Sequence, residues 1–178
     1  MKARNVITAF FFMAMAVSVS AQAIVKHLDF RGTPICGSLK SFTLPGYEEI
    51  DPEGKYEKVF TKGGHKVYVD FYTSANMDKK AYNIVEEYPH STSWAEVKKT
   101  YRAVVDSLAT VYEKVSSTET GDIGGRRGVY FATLKDTKEG RGSVLVAIDG
   151  DRENPRGEAY VKVAYFDKEG NDWVKAHK

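Results

Sequence analysis

Few residues in this chain have the type and spacing that could form a catalytic or metal site. Zinc sites need closely spaced histidine and cysteine ligands. The four histidines stand far apart, without a cysteine partner: His27, His65, His90 and His177. Cys36 is the single cysteine, so an internal disulfide is excluded. We expect its thiol to be buried as a small apolar group, the alternative being an intermolecular disulfide. We predict no metal, no cofactor and no catalytic residue.

Two acidic segments could in principle bind calcium or supply a general acid. The loop at 149–154 has acidic side chains at alternate positions, but Asn154 stands where a calcium loop needs glycine, and Tyr160 where it needs glutamate. Four further carboxylates cluster upstream, at Glu48, Glu49, Asp51 and Glu53. Nothing in their surroundings indicates the raised pKa that a general acid requires. We interpret the 149–154 segment as a turn.

The segment GDIGGRRG, residues 121–128, could cradle a phosphate. Phosphate-binding glycine loops follow a strand and open a helix, whose free N–H groups bind the anion. Here the flanks predict the reverse order, a helix before the loop and a strand after it. Glycines after a helix form left-handed caps and turns. We therefore predict a turn, with anion binding by its arginines as the alternative.

The element nearest to these loops is a long amphipathic helix over Ser93–Val115. Its apolar residues recur at three- and four-residue steps: Trp94, Val97, Tyr101, Val104, Val105, Leu108, Val111, Tyr112 and Val115. Such a stripe predicts a helix packed on a sheet. Ser93 and Glu96 have the spacing of a capping box. A short helix is also predicted over Ser38–Leu44, ending before Pro45.

The remaining pattern predicts six strands. They are Tyr56–Thr61, Lys66–Thr73, Ala81–Tyr88, Gly128–Lys135, Ser143–Asp149 and Glu158–Phe166. The first two flank a Lys-Gly-Gly turn and should form a hairpin. Three strands follow each helix, which is typical of an α+β fold with an antiparallel sheet in two three-stranded halves.

The strand Lys66–Thr73 alternates between two faces. Val67, Val69 and Phe71 should face the long helix, which leaves Lys66, Tyr68, Asp70 and Tyr72 on the opposite face. Tyrosine offers a large contact area with few rotatable bonds, as binding surfaces do. These four residues are the predicted binding site, and cross-strand pairing of the tyrosines is the alternative.

The N-terminus has the features of a secretory signal peptide. Lys2 and Arg4 precede a short apolar run over residues 6–17, and Ala-Gln-Ala ends at position 23. We predict a single α+β domain over 24–178, periplasmic or secreted. Without its two basic residues the total of 26 falls to 24, equal to the 24 acidic ones. A neutral chain lacks the basic surface that nucleic acids require, and we expect no nucleic-acid partner.

Three motifs resemble a group of uncharacterised secreted proteins common in gut-type Bacteroidetes. They are the opening at 30–42 (FRGTPICGSLKSF), the helix start with Trp94, Val97 and Tyr101, and the closing strand with Val161, Val163, Tyr165 and Asp167, with Asn171 shortly after. The resemblance implies helix-plus-sheet halves similar to the β-lactamase inhibitor proteins. It implies no activity and no catalytic residues. Pro45 and Gly46 shorten the first helix relative to that pattern.

The sequence therefore favours an exported, monomeric binding domain whose open sheet face meets another protein. The protein partner or envelope component is not identified by the sequence. The alternatives are an envelope-located hydrolase whose site is assembled from distant residues, and a structural accessory of the cell envelope. A deep pocket with convergent polar groups would favour the hydrolase. A flat, aromatic-rich sheet face would favour the binding domain.

We predict that the exported protein begins at Ile24, because signal peptidase cleaves after the small-residue Ala-x-Ala pattern. No cysteine follows the cleavage point to accept a lipid. Intact-mass spectrometry of protein recovered outside the cytoplasm checks this. A retained Met1 or a lipid-sized mass increment would contradict it.

Overall fold

The computed structural model describes residues 27–30, 33–35, 48–49, 55–59, 64–73, 79–154 and 156–177. Two helices and ten strands lie in these ranges. The helices are α1 (Trp94–Ala109) and α2 (Lys168–Ala176). The strands are β1 (Asp29–Phe30), β2 (Thr33–Pro34), β3 (Glu48–Glu49), β4 (Lys55–Val59), β5 (Lys66–Thr73), β6 (Lys79–Glu87), β7 (Glu113–Glu119), β8 (Tyr130–Lys135), β9 (Gly142–Gly150) and β10 (Ala159–Asp167).

Eight of these strands form one antiparallel sheet, in the order β3-β4-β5-β6-β10-β9-β8-β7. β1 and β2 form a separate two-stranded ribbon. The α+β class is confirmed, and all six predicted strands are present. They form two three-stranded halves, β4-β5-β6 and β10-β9-β8, which join where β6 pairs with β10. Within the described ranges the sheet is wider than predicted, because β3 and β7 extend its two edges.

The long helix is shorter than its apolar stripe predicts. α1 ends at Ala109, where the hydroxyl of Thr110 donates to the carbonyl of Ser107 at 2.7 Å. The N–H groups of the next two residues donate to the carbonyl of Leu108, which closes the last turn. The following residues pair with β8 as β7, so the predicted extension to Val115 is wrong. Pairing with a neighbouring strand outweighs the helical spacing.

The core lies between α1 and the sheet. α1 packs on β8, β9 and β10. Its buried residues, Val97, Tyr101, Val104 and Val105, belong to the same apolar cluster as Val67 and Val69 on β5 and Val161 and Val163 on β10. Packing of the helix on the sheet is therefore confirmed, and the strands that α1 packs on are β8, β9 and β10 rather than β5. Val111 and Val115, which lie beyond the end of α1, are 62% and 42% exposed.

A buried carboxylate joins the start of the described chain to its last helix. Asp167 is fully buried and caps α2, accepting the N–H of Gly170 at 3.0 Å. Its Oδ1 atom accepts the N–H of Leu28 at 3.0 Å. The Nδ1 atom of His27 lies 3.1 Å from Oδ2, the oxygen that also accepts from Gly170. α2 itself was not predicted from the sequence. The signal-peptide region, Cys36 and the predicted helix Ser38–Leu44 lie outside the described residues.

We predict different effects on stability for two valines of the apolar stripe that the sequence places over Ser93–Val115. Val97→Ala should lower the free energy of unfolding by about 1–3 kcal/mol, because it removes buried methyl groups and leaves a cavity. Val111→Ala is the matched control and should change it by less than about 0.5 kcal/mol. Urea unfolding followed by circular dichroism measures both. Equal losses at the two positions would contradict the observed end of α1.

Candidate functional site

The face of the sheet turned away from α1 contains the predicted binding residues, and we name it the second face. Lys66, Tyr68 and Asp70 alternate with the buried Val67 and Val69 along β5, so all three lie on it. Lys66 is exposed, whereas Tyr68 and Asp70 are half-buried. The backbone of Tyr72 pairs with Lys80, beyond an irregularity after Asp70. The side chain of Tyr72 lies outside the described residues.

The strand register arranges the second face in rows that cross five strands. The middle row is mostly apolar: Tyr68, Val85, Ala164, Leu145 and Thr133. The next row carries charges of alternating sign and then apolar side chains: Lys66, Glu87, Lys162, Ala147 and Phe131. The row on the other side is largely polar: Asp70, Asn83, Phe166, Ser143 and Lys135. An apolar strip is thus bordered by polar side chains.

The charged row is tied to its neighbours by direct contacts. The Tyr68 hydroxyl donates to a carboxylate oxygen of Glu87 at 3.4 Å. The ammonium of Lys162 lies 3.8 Å from the Asp149 carboxylate. Both contacts link adjacent strands across this face, the first joining β5 to β6 and the second joining β10 to β9.

Tyr160, near the start of β10, extends the second face beyond Lys162. Its ring stacks on that of His90, with centroids 4.2 Å apart and planes only 6° from parallel. Burial raises the pKa of Tyr160 to about 12, and the carboxylates of Glu87 and Asp149 add to the shift. The phenol of Tyr160 is therefore neutral at physiological pH.

α2 borders the opposite end of the second face. The side-chain amide of Asn171 donates to the Asn83 side chain at 2.7 Å and to the carbonyl of Asp167 at 2.8 Å. A Cβ at Gly170 would lie 2.5 Å from the Cβ of Tyr82, so this position needs glycine for the helix to approach β6. Among the described elements, α2 is the helix that packs on this side.

Sequence reasoning missed most of the second face. Phe131, Leu145, Tyr160 and Lys162 lie on it, yet only the β5 residues were predicted. The signal was present in the alternation of β8, β9 and β10, because residues between core positions must face away. The pairing of β6 with β10, which brings the two halves into one surface, leaves no local trace in the sequence.

A groove of about 980 Å³ lies on the other side of the sheet, beside α1. Its described lining includes the half-buried apolar residues Tyr88, Leu108 and Tyr165. His65 also lines it, with its Nδ1 atom 2.8 Å from the buried carboxylate of Glu86 and its ring 4.2 Å from that of Tyr88. His65 and Glu86 thus form a carboxylate–imidazole pair, as His27 and Asp167 do, and this pair lines a groove.

The described residues provide no metal centre. No group of three or more histidine, cysteine, aspartate or glutamate side chains within these ranges is placed to hold an ion. In the 149–154 segment the Asp151 carboxylate accepts the N–H groups of Glu153 and Asn154, at 2.9 and 3.2 Å. It caps a turn, as predicted. The structure describes no side chains for the upstream acidic cluster at 48–53.

The segment at 121–128 is a hairpin turn. It joins β7 to β8, so the prediction that it follows a helix is wrong, whereas the prediction of a turn is confirmed. Ile123 and Arg126 bond to each other through their backbones, and Gly124 and Gly125 between them have φ of 59° and 80°. Such positive values at both central residues favour glycine.

The two arginines of this turn have different surroundings. Arg127 is buried, stacks 5.1 Å from the Trp94 ring and donates to the carbonyl of Gly157 at 2.7 Å. Arg126 is exposed, 3.3 Å from Glu153, which is also exposed. Arg127 therefore fixes the turn against α1 and the neighbouring loop. This placement gives no support to anion binding by the pair.

Asp122 fastens the base of the turn. Its Oδ1 atom accepts the N–H of Gly128 and the indole N–H of Trp94, both at 2.9 Å. These two bonds lower the pKa of Asp122, the Gly128 bond most strongly. Gly128 is required there, because a Cβ would lie 1.9 Å from the carbonyl oxygen of Thr120.

Because the pKa of Asp122 is lower in the folded protein than its ordinary value of 3.8, its stabilising contribution is present above that value and is lost as pH falls through the folded pKa. Asp122→Ala should therefore destabilise the protein at pH 7 and have a smaller effect near pH 3. Urea unfolding of both proteins at the two pH values measures this. A difference that does not change with pH would contradict the assignment.

Within the described ranges, no helix combines the length and the apolar character needed to cross a bilayer. No protein-family model, curated protein or solved structure matches the chain. The resemblance to secreted Bacteroidetes proteins and to the β-lactamase inhibitor fold therefore stays a hypothesis that rests on the sequence motifs.

Proposed function

We propose that this protein is exported and binds another protein through the second face of its sheet. The observation that carries the proposal is the row of Tyr68, Val85, Ala164, Leu145 and Thr133, with a charged row on one side and a polar row on the other. Protein interfaces combine an apolar centre with a polar rim in this way. The proposal that the protein is exported rests on the signal-peptide features of its N-terminal sequence.

The composition of the second face supports a protein as the ligand. Tyr68, Phe131 and Tyr160 present rings that are half-buried. Aromatic side chains supply much of the binding energy of protein interfaces, because they bury a large area at low entropic cost. The alternating charges of Lys66, Glu87 and Lys162 would fix the register of a partner and disfavour others.

A hydrolase is the second candidate, and one observation favours it. The imidazole of His65 lines the groove beside α1 and is held by the buried carboxylate of Glu86. A positioned imidazole can act as a general base. However, no serine or threonine hydroxyl of the described residues is hydrogen-bonded to His65, and a hydrolytic mechanism that uses an enzyme nucleophile needs such a contact. We therefore rank protein binding first.

The test compares a second-face variant with wild type in a pull-down from envelope extract. The mature domain would carry Tyr68→Ala together with Phe131→Ala, two positions on separate strands. We expect a protein retained by wild type to bind this variant at least about tenfold more weakly, a loss of about 1.4 kcal/mol. The affinity is then measured with the purified partner by calorimetry.

Val115→Ala on the edge strand β7 is the control, because its side chain is 42% exposed and the register of β7 with β8 skips it, so it belongs to none of the three rows. It should retain the partner as wild type does. Circular dichroism melts of all proteins must agree within a few degrees. Equal affinities of the wild type and the double variant would reject the second face as the binding surface.

A further inference from the structure

A cleft of about 560 Å³ lies between α2 and the turn that joins β8 to β9. One wall is α2, which presents Lys168, Asn171, Asp172 and Lys175 at helical spacing. The opposite wall runs from Lys135 through Thr137 to Ser143, and Phe166 also lines the cleft. These two walls border a space whose volume suits a small organic ligand.

The carboxylates that line this cleft are already engaged within the protein. Asp136 is buried and bonded to the guanidinium of Arg141. Asp167 is fully buried as the cap of α2. Asp172 accepts a hydrogen bond from the ammonium of Lys168 at 2.6 Å. All three carboxylates are therefore engaged by other groups, and none of them forms an ion pair with Lys135 or Lys175.

Two cations remain, one on each wall. Lys135 at the end of β8 and Lys175 in the last turn of α2 are both exposed. Neither ammonium lies within ion-pair distance of a carboxylate of the described residues, although Lys175 is near enough to help lower the pKa of Asp172. Cations in the lining of a cleft raise the electrostatic potential there and attract anions. The hydroxyl groups of Thr137 and Ser143, which also line the cleft, are hydrogen-bond donors.

Phe166 gives the cleft an apolar surface next to these donors. Its side chain is half-buried, at the end of β10 and beside α2. A ring of the ligand can pack on a phenyl ring in an offset or edge-on arrangement. A site with one aromatic surface and cations on two walls fits a ring that carries a compact, doubly charged anionic group.

We propose that this cleft binds a phosphate monoester carried on a ring, with the phosphate between Lys135 and Lys175 and the ring on Phe166. The cleft shares Lys135, Ser143 and Phe166 with the polar row that borders the protein-binding surface proposed above. Its test needs only the purified protein and no protein partner. Phenyl phosphate is the probe. Inorganic phosphate supplies the anion without the ring, and benzyl alcohol supplies the ring without the anion.

Calorimetric titration at low salt should show phenyl phosphate binding more tightly than inorganic phosphate, and no binding of benzyl alcohol. The double variant Lys135→Gln, Lys175→Gln should weaken phenyl phosphate binding at least about tenfold. Lys138→Gln, at an exposed position in the same turn but outside the cleft lining, is the matched control and should bind as wild type does. Added salt should weaken binding, because the cations are exposed.

Four results would overturn the proposal. They are the absence of phenyl phosphate binding by the wild type, equal affinity for inorganic phosphate, equal affinity of the double variant, and an equal loss in Lys138→Gln. Thermal melts of both variants separate these results from a failure to fold. Phe166→Leu keeps an apolar side chain but removes the aromatic ring, and it should reduce the preference for phenyl phosphate over inorganic phosphate.

Discussion

The antiparallel pairing of β6 with β10 is the interaction on which the rest of the structure depends. It joins the meander β4-β5-β6 to the meander β8-β9-β10, which are separated in sequence by α1 and β7. Its register aligns Val85 with Ala164 and Glu87 with Lys162, and so makes the rows of the second face continuous. A shift by one residue would move every side chain of one half to the opposite face. The groove beside α1 depends on the same pairing, because Glu86 and Val161 line it together.

Local patterns predicted the strands well because each strand has its own alternation. The pattern in Lys66–Thr73 matched β5 at both ends. The predicted helix was too long at its C-terminal end. Val111, Tyr112 and Val115 continue the helical spacing, although the helix ends at Ala109 and Glu113–Glu119 is a strand paired with β8. Periodicity records which residues are apolar, whereas the choice between helix and strand at this end depends on a neighbouring strand that follows later in the chain.

The site was predicted only in part for the same physical reason. Lys66, Tyr68 and Asp70 share a face by simple alternation, which a single strand reveals. Their neighbour Glu87 comes from the next strand of the chain, whereas Lys162 comes from a strand distant in sequence, and only the sheet order brings it beside Glu87. The α2 helix, with Lys175, is nine residues long and contains a glycine, so its pattern is too short to recognise. The cleft beside it could not be predicted without that helix.

The buried carboxylate of Asp167, which joins residues 27 and 28 to α2, affects the order in which the protein folds. Its contact with His27 spans 140 residues, and closing so long a loop costs considerable chain entropy. Contacts of such sequence separation form after local hairpins and helices. The N–H of Gly170 can satisfy one oxygen of Asp167 as soon as α2 forms, whereas Leu28 must arrive from the far end of the chain. We expect docking of residues 27–30 to be a late step in folding and an early one in unfolding.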